Sequence, residues 1–216
     1  MTAARQQRLP VWLLAGYLLL FAGLAVRPYA RDVWWVENLT ILPVVVVLVG
    51  LYAAGMRFSN TAYVLMSCLI YLHTIGGHYT FERVPFGFVT HLFGFERNHY
   101  DRLAHFTVGF YAYPVVELLL GRRWVTKPVV AYLFGLFAIA GLAAFYEIFE
   151  WQYAVCSDAA AGLAVLGNQG DIWDAQKDML ADSLGAVAGV GLYIVLHRRR
   201  GGGQRPGAPD EAGTGR

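Results

Sequence analysis

Charged residues are scarce in this sequence. Lys, Arg, Asp and Glu together make up 15% of 216 residues against 57% hydrophobic ones, and the mean hydropathy is +0.44. A soluble domain of this length rarely shows that balance, so the composition points to a membrane protein. No basic stretch with interleaved aromatics occurs, which argues against nucleic acid as a partner. Neither H-E-x-x-H nor G-x-S-x-G is present, so no familiar reaction signature names the chemistry. There is no evident internal repeat. Of the two cysteines, Cys68 lies inside an apolar run and Cys156 beyond one, and a bridge would need a thiol to leave the membrane core. Free thiols are expected.

What charge there is falls in few places. Five of the six histidines and twelve of the fifteen acidic residues lie within Asp32 to Glu37, His73 to His105 and Glu147 to Asp182. Around them run six apolar stretches of spanning or near-spanning length, roughly Val11 to Val26, Leu39 to Ala54, Thr61 to Gly76, Ala104 to Leu120, Val129 to Phe149 and Met179 to Leu196. The first two reach the ~20 residues of a span only with flanking aromatics such as Tyr29, Trp34 and Trp35. The expected fold is an all-α integral membrane bundle of about six transmembrane helices.

Placing the N-terminus inside puts eleven of the 17 Lys and Arg residues in the cytoplasm and six outside. The positive-inside rule thus predicts both termini cytoplasmic and the acidic, histidine-rich segments on the outer face. A cleaved signal peptide is the poorer reading of the first run, because Val26-Arg27-Pro28-Tyr29-Ala30 makes a bulky, charged exit. The expected organisation is one transmembrane domain over residues 1–197 and a disordered cytoplasmic tail, rich in Gly, Pro and Arg, over 198–216. An ionisable side chain near mid-bilayer costs roughly 2.5 to 3.5 kcal/mol on insertion scales. Their concentration at helix ends on one side predicts a polar site at one membrane face.

Three motifs supply candidate residues. In Asn98-His99-Tyr100-Asp101-Arg102-Leu103-Ala104-His105-Phe106, Asp101 and His105 stand four apart on one helical face, as a metal ligand or proton shuttle would, or as a capped helix start with an ordinary buried histidine. In Phe145-Tyr146-Glu147-Ile148-Phe149-Glu150-Trp151, two carboxylates three apart share a face and repel unless a cation or proton lies between them. The bland alternative is an interfacial helix end with Tyr146 and Trp151 as anchors. In the third motif, Asp171, Asp174, Asp178 and Asp182 form a stripe about 80° wide at 100° per residue. Asp171 and Asp174 suit a helix N-terminus, whereas Asp182 lies well inside an apolar span. Gly185 and Gly189 after it predict close packing against a neighbour. His73 closes the third run, and His78 and Glu82 are spaced as a ligand pair, although Gly76-Gly77 predicts a helix break just there.

The stretch from His73 through Gly189, in particular N-H-Y-D-R-L-A-H-F, F-Y-E-I-F-E-W and Q-G-D-I-W-D-A-Q-K-D-M, resembles the uncharacterised bacterial inner-membrane family typified by YjdF. That resemblance implies a multi-pass protein of the bacterial inner membrane and no assigned reaction. A looser similarity is to VanZ-like membrane proteins, carried by Asp101, Arg102, His105 and Phe106 and by Asp178, Asp182, Gly185 and Gly189. Arg102 stands where Lys is usual there and Asp182 where Asn is usual.

The leading functional expectation is a metal-dependent membrane hydrolase or transferase acting on a lipid or envelope-precursor headgroup. An unidentified divalent ion would be held by some of His73, His78, His105, Asp174, Asp178 and Asp182, with Glu147, Glu150 and Asp101 as catalytic carboxylates. Membrane lipids are the expected surroundings. The alternatives are a proton- or cation-coupled transporter using the same carboxylates and a non-catalytic membrane partner protein.

Overall fold

The computed structural model describes residues 8–201, and every regular element in that range is helical. In chain order these are α1 (Leu9–Leu24), α2 (Arg31–Ala53), α3 (Asn60–Tyr79), α4 (Gly87–Phe93), α5 (Tyr100–Val108), a 3-10 turn (Gly109–Tyr111), α6 (Ala112–Gly121), α7 (Pro128–Cys156), α8 (Ala159–Leu166) and α9 (Asp174–Gly201). Four segments are long and apolar enough to cross a bilayer: Arg31–Ala53, Tyr100–Gly121, Pro128–Cys156 and Asp174–Arg198. Of the other two expected spans, α1 is apolar but has 16 residues, and α3 has 20 but is diluted by Ser67, His73 and His78. Arg5 and residues 202–216 of the expected tail lie outside the described residues. Arg198 to Gly201, expected to begin that tail, continue α9 instead.

The helices outrun the apolar stretches that marked them, because the polar residues at their ends find partners inside the bundle. The N-termini of α2, α5 and α9 and the C-termini of α1, α3 and α7 gather at one end. There the Tyr29 amide donates to the His78 carbonyl (2.9 Å), and Arg97 reaches the Asn168 carbonyl (3.0 Å). Exposed Tyr29, Trp35, Trp151 and Trp173 ring this end, and Trp12 and Trp124 mark the other, as interfacial aromatics do. The segment after α7 folds into α8, which packs on α7 and α2.

Gly76 and Gly77 do not break α3, contrary to the expectation. The helix runs on to Tyr79 and stops at Thr80, whose φ of 58° is left-handed. Both glycines are buried. A Cβ on Gly76 would run into the Phe81 ring, and one on Gly77 would stand 3.0 Å from Glu37 Cβ. The missing side chains let neighbouring groups approach, which sequence spacing could not distinguish from a break.

The Tyr100–Gly121 segment changes to 3-10 geometry at Gly109–Tyr111 for a local reason. Pro114 lacks an N–H and its ring opposes the carbonyl four residues back, at Phe110, so the α ladder cannot close there. Gly109 in this turn lies against Gly185 of α9. A Cβ on Gly185 would overlap the Phe106 carbonyl and one on Gly109 would overlap the Asp182 carbonyl. This is the close packing that Gly185 and Gly189 predicted, and it sets the register of α5 against α9.

Candidate functional site

Five helices place ionisable groups at one depth. Glu37 is six residues into α2, His73 six before the end of α3, His105 five into α5, Glu150 six before the end of α7 and Asp182 eight into α9. At a rise of about 1.5 Å per residue this is roughly 8 to 12 Å below the helix ends. All five are buried, Asp182 to 1% exposure.

Above that depth lies a layer of matched charges. Arg97 Nη1 and Arg102 Nη2 each stand 2.5 Å from Asp174 Oδ1, Arg102 Nη2 is 3.1 Å from Asp171 Oδ2, and Arg102 Nε is 3.1 Å from Asp178 Oδ1. Lys177 Nζ adds a contact to Asp171 at 2.7 Å. The Lys177 hydrogen bond, then the Trp173 amide and Arg102, hold the Asp171 carboxyl well below the usual carboxylate range. His99, beside this layer, is held below the ordinary imidazole value by burial and then by the Arg97 and Arg102 guanidiniums. The loop that carries Arg97 and leads into α5, which carries Arg102, is pinned by side chains: Asn98 Nδ2 donates to the Glu82 and Val84 carbonyls, and the Asn98 amide to Gln169 Oε1.

The deeper layer is compensated differently. His105 Nδ1 donates to Asp182 Oδ2 (3.2 Å), since an ionised carboxylate only accepts, while Nε2 faces Asp101 Oδ1 at 3.7 Å, beyond a hydrogen bond. One ligand atom each from Asp101, His105 and Asp178 lie within 4.8 Å of one another. Opposite them, His73 Nε2 stands 3.3 Å from Glu37 Oε2 and 3.1 Å from Thr40 Oγ1. Asp182 Oδ1 and Glu147 Oε1 are buried with no hydrogen-bond partner among the described residues. Orphaned acceptors at such depth are costly and are rare unless something binds there. Between the two walls is a cavity of about 130 Å3, with Asp101, His105, Asp182, Glu37, His73 and Glu150 at its polar end.

The model of the family described as "Predicted membrane protein (DUF2238)" matches residues 9–199, which include every one of these groups. The chain belongs to this family. "Inner membrane protein YjdF" of Escherichia coli (strain K12) is similar to it, 35% identical over 190 residues that cover 85% of this chain and 87% of that one. No solved structure matches. Family, relative and apolar helices together make the chain a multi-pass protein of the bacterial inner membrane.

Within this member of the family, the structure gathers some expected site residues and separates others. Asp101, His105 and Asp178 meet. Asp182 stands behind His105, on the far side of the imidazole from Asp101, and Asp174 is taken up by two guanidiniums. His73 reaches the same cavity on the other wall. His78 does not join: its Nδ1 lies 2.6 Å from the Leu24 carbonyl, and Glu82, expected as its helical partner, is past the helix end and pairs with Arg83. Glu150 lines the cavity, and Glu147 sits within electrostatic reach of His105 and Asp178.

Sequence reasoning assigned no role to Glu37, Thr40 or Arg97, took Tyr146 only as an interfacial anchor and met Arg102 only as part of a motif. Glu37 carried a legible signal, an acidic residue one turn after Trp34 at the edge of an apolar run. The pairing of the arginines carried none, because their partners are about 70 residues away in sequence.

Proposed function

We propose that the chain is a divalent-cation-dependent membrane enzyme, a hydrolase or transferase acting on the headgroup of a lipid or lipid-like envelope precursor at the outer face of the membrane. On this reading α1 and α3 cross the bilayer with the other four segments and both termini are cytoplasmic, in line with the Lys and Arg asymmetry.

The observation that carries the reading is the order Asp182, His105, then Asp101 with Asp178. A carboxylate on Nδ1 fixes the imidazole tautomer and turns the Nε2 lone pair outward, which is how metal-binding histidines are commonly held. Nε2 then faces Asp101 at 3.7 Å without bonding to it, and a carboxylate oxygen of Asp178, whose Oδ1 also meets Arg102, lies within 4.8 Å of the same group. A bound 2+ ion would supply Lewis acidity and a water of lowered pKa. Asp101, His105 and Asp178 would hold it, Asp182 would orient His105, and Glu150 on the cavity wall is placed to take a proton, with Glu147 beside it.

The transporter reading fits less well. Its polar groups would need to continue to the opposite end, where Glu117 instead accepts from the Ser59 amide and hydroxyl, both at 2.6 Å. The layer between is built on apolar contacts among residues such as Ile41, Leu69, Ile70, Met66 and Val116.

The test is elemental analysis of the purified protein together with thermal unfolding in added Zn2+, Mn2+ or Mg2+ and in chelator. Copurified or stabilising metal that disappears in Asp178→Asn and His105→Ala but persists in Glu117→Gln is expected. A parent protein that carries no metal and unfolds at one temperature in all these conditions would overturn the reading.

A further inference from the structure

The cavity is smaller than the ligand its position implies. About 130 Å3 holds a compact polar head and a few methylene groups, well short of the roughly 300 to 1,000 Å3 of pockets that enclose a whole small molecule. A lipid or lipid-like ligand of the proposed kind would therefore extend out of it. Below the carboxylates the walls turn aliphatic, with Ile41 and Val44 from α2 facing Leu142 and Ala143 from α7.

These two helices are the open side of the bundle. α2 packs on α3 and α8, and α7 on α6, α8 and α9, yet among the described residues α2 and α7 share no extended interface, and Tyr146 and Thr40 are hydrogen-bonded across the polar end of the gap, above the aliphatic walls. Both are candidate membrane spans, so the seam between them faces hydrocarbon. Leu142 shows the opening directly, since it lines the cavity while 54% exposed to the surroundings. On the outer side the same cavity is closed by Val165 of α8 and by Gly167. A water-soluble ligand would meet α8 first, whereas one dissolved in the bilayer meets an aliphatic gap leading to buried acids.

We propose that the cavity is filled sideways from the bilayer by a long-chain membrane amphiphile, whose chain lies in the seam between α2 and α7 and whose head rests between the Glu37–His73 pair and the His105 cluster. This rests on the enzymatic reading for what happens to the head, but the route and the chain subsite stand on the cavity itself. The acyl or isoprenoid character of the chain follows from the walls: four aliphatic side chains on the seam offer burial at about 25 cal/mol per Å2 and no hydrogen bond to choose among chains. Asp182 Oδ1, fully buried at the polar end with no partner among the described residues, gives the head an acceptor to meet.

The experiment uses the full chain in vesicles of phosphatidylethanolamine and phosphatidylglycerol that contain a phospholipid with a photoactivatable diazirine in its acyl chain. Labelled positions are mapped by peptide mass spectrometry. Ile41 and Ala143 are 3% and 2% exposed and out of reach of lipid that merely surrounds the protein, whereas Val46, 68% exposed on α2, is in contact with it. Labelling of Ile41 and Ala143 as well as Val46 is expected, with the first two lost and Val46 retained in Leu142→Trp and in Val44→Trp. Val46→Trp should leave labelling of Ile41 and Ala143 unchanged. Label confined to outward-facing positions in the parent protein, or internal label untouched by both seam variants, would overturn the proposal. Metal content measured on the same samples separates the two readings: metal without internal label removes the lateral route alone, and internal label without metal removes the enzymatic reading alone.

Discussion

Asp174 and Asp182 stand two turns apart on one face of α9, and both are buried, yet they are kept in opposite ways. Asp174 lies under Arg97 and Arg102, each 2.5 Å from the same oxygen. Asp182 has one histidine nitrogen at 3.2 Å and an oxygen left without a partner among the described residues. Fixed guanidiniums cannot be displaced without leaving charge uncompensated in a low-dielectric setting, so the upper layer is structural. The lower layer is held by imidazoles and has acceptors to spare, and this is the condition for binding a cation or a polar head.

Removing Arg102 should break the comparison most severely. The Arg102→Ala protein leaves Asp171, Asp174 and Asp178 short of a shared cation, at a cost of about 3 to 5 kcal/mol by analogy with other buried pairs that lose one partner. Unfolding of the purified protein in detergent would show it, and a loss below 1 kcal/mol would mean that the upper layer is solvated and that the contrast is false.

Next in size is Gly185→Ala. The new methyl overlaps the Phe106 carbonyl, so α5 and α9 must separate, at about 1 to 3 kcal/mol for an overpacked contact. The same shift moves His105 away from Asp182, so any bound metal should weaken in step with stability. Unchanged metal affinity in a destabilised protein would show that the two helices need not be in register for the lower layer to work.

Asp182→Asn probes the lower layer alone. Asn can still accept from His105 Nδ1, so stability should change by less than about 1 kcal/mol, while metal affinity should fall roughly 10- to 100-fold because the imidazole loses its anionic partner. Titration with Zn2+ followed by calorimetry reads this directly. A large loss of stability with metal affinity intact would reverse the assignment of the two layers.

The smallest effect belongs to Asp171, at the surface of the upper layer. Its carboxyl is held below the usual range, so its stabilising contribution is present above the unfolded value of about 3.9 and is lost only as pH falls through the folded one. The difference in unfolding temperature between the parent and Asp171→Asn should therefore be constant from neutral pH to about 5 and shrink below about 4. A difference that already shrinks between pH 7 and 5 would show that Lys177 and Arg102 do not hold this carboxylate.

Much of this was legible one segment at a time. The apolar stretches located the helices, four of them long and apolar enough to span, since a bilayer demands length and hydrophobicity that composition reveals directly. Asp101 and His105 were visible as a pair because four residues make a helical turn, and Gly185 announced a close neighbour. The Asp stripe was visible too, but not how its charge is met: Arg102 on α5 and Arg97 just before it pair with Asp174, and Arg102 also with Asp178, across the bundle. His78 and Glu82 matched a ligand spacing on a helix that ends between them.

The sequence by itself determined that this chain lives in a membrane as apolar helices and that most of its acids collect in three short segments, because these follow from transfer energies of single residues. Only the tertiary structure decided which acids are neutralised and which are left open. That choice depends on distances of a few ångströms between helices that are about 70 residues apart in the chain, and the close contact of Gly109 with Gly185 sets the register in which they meet.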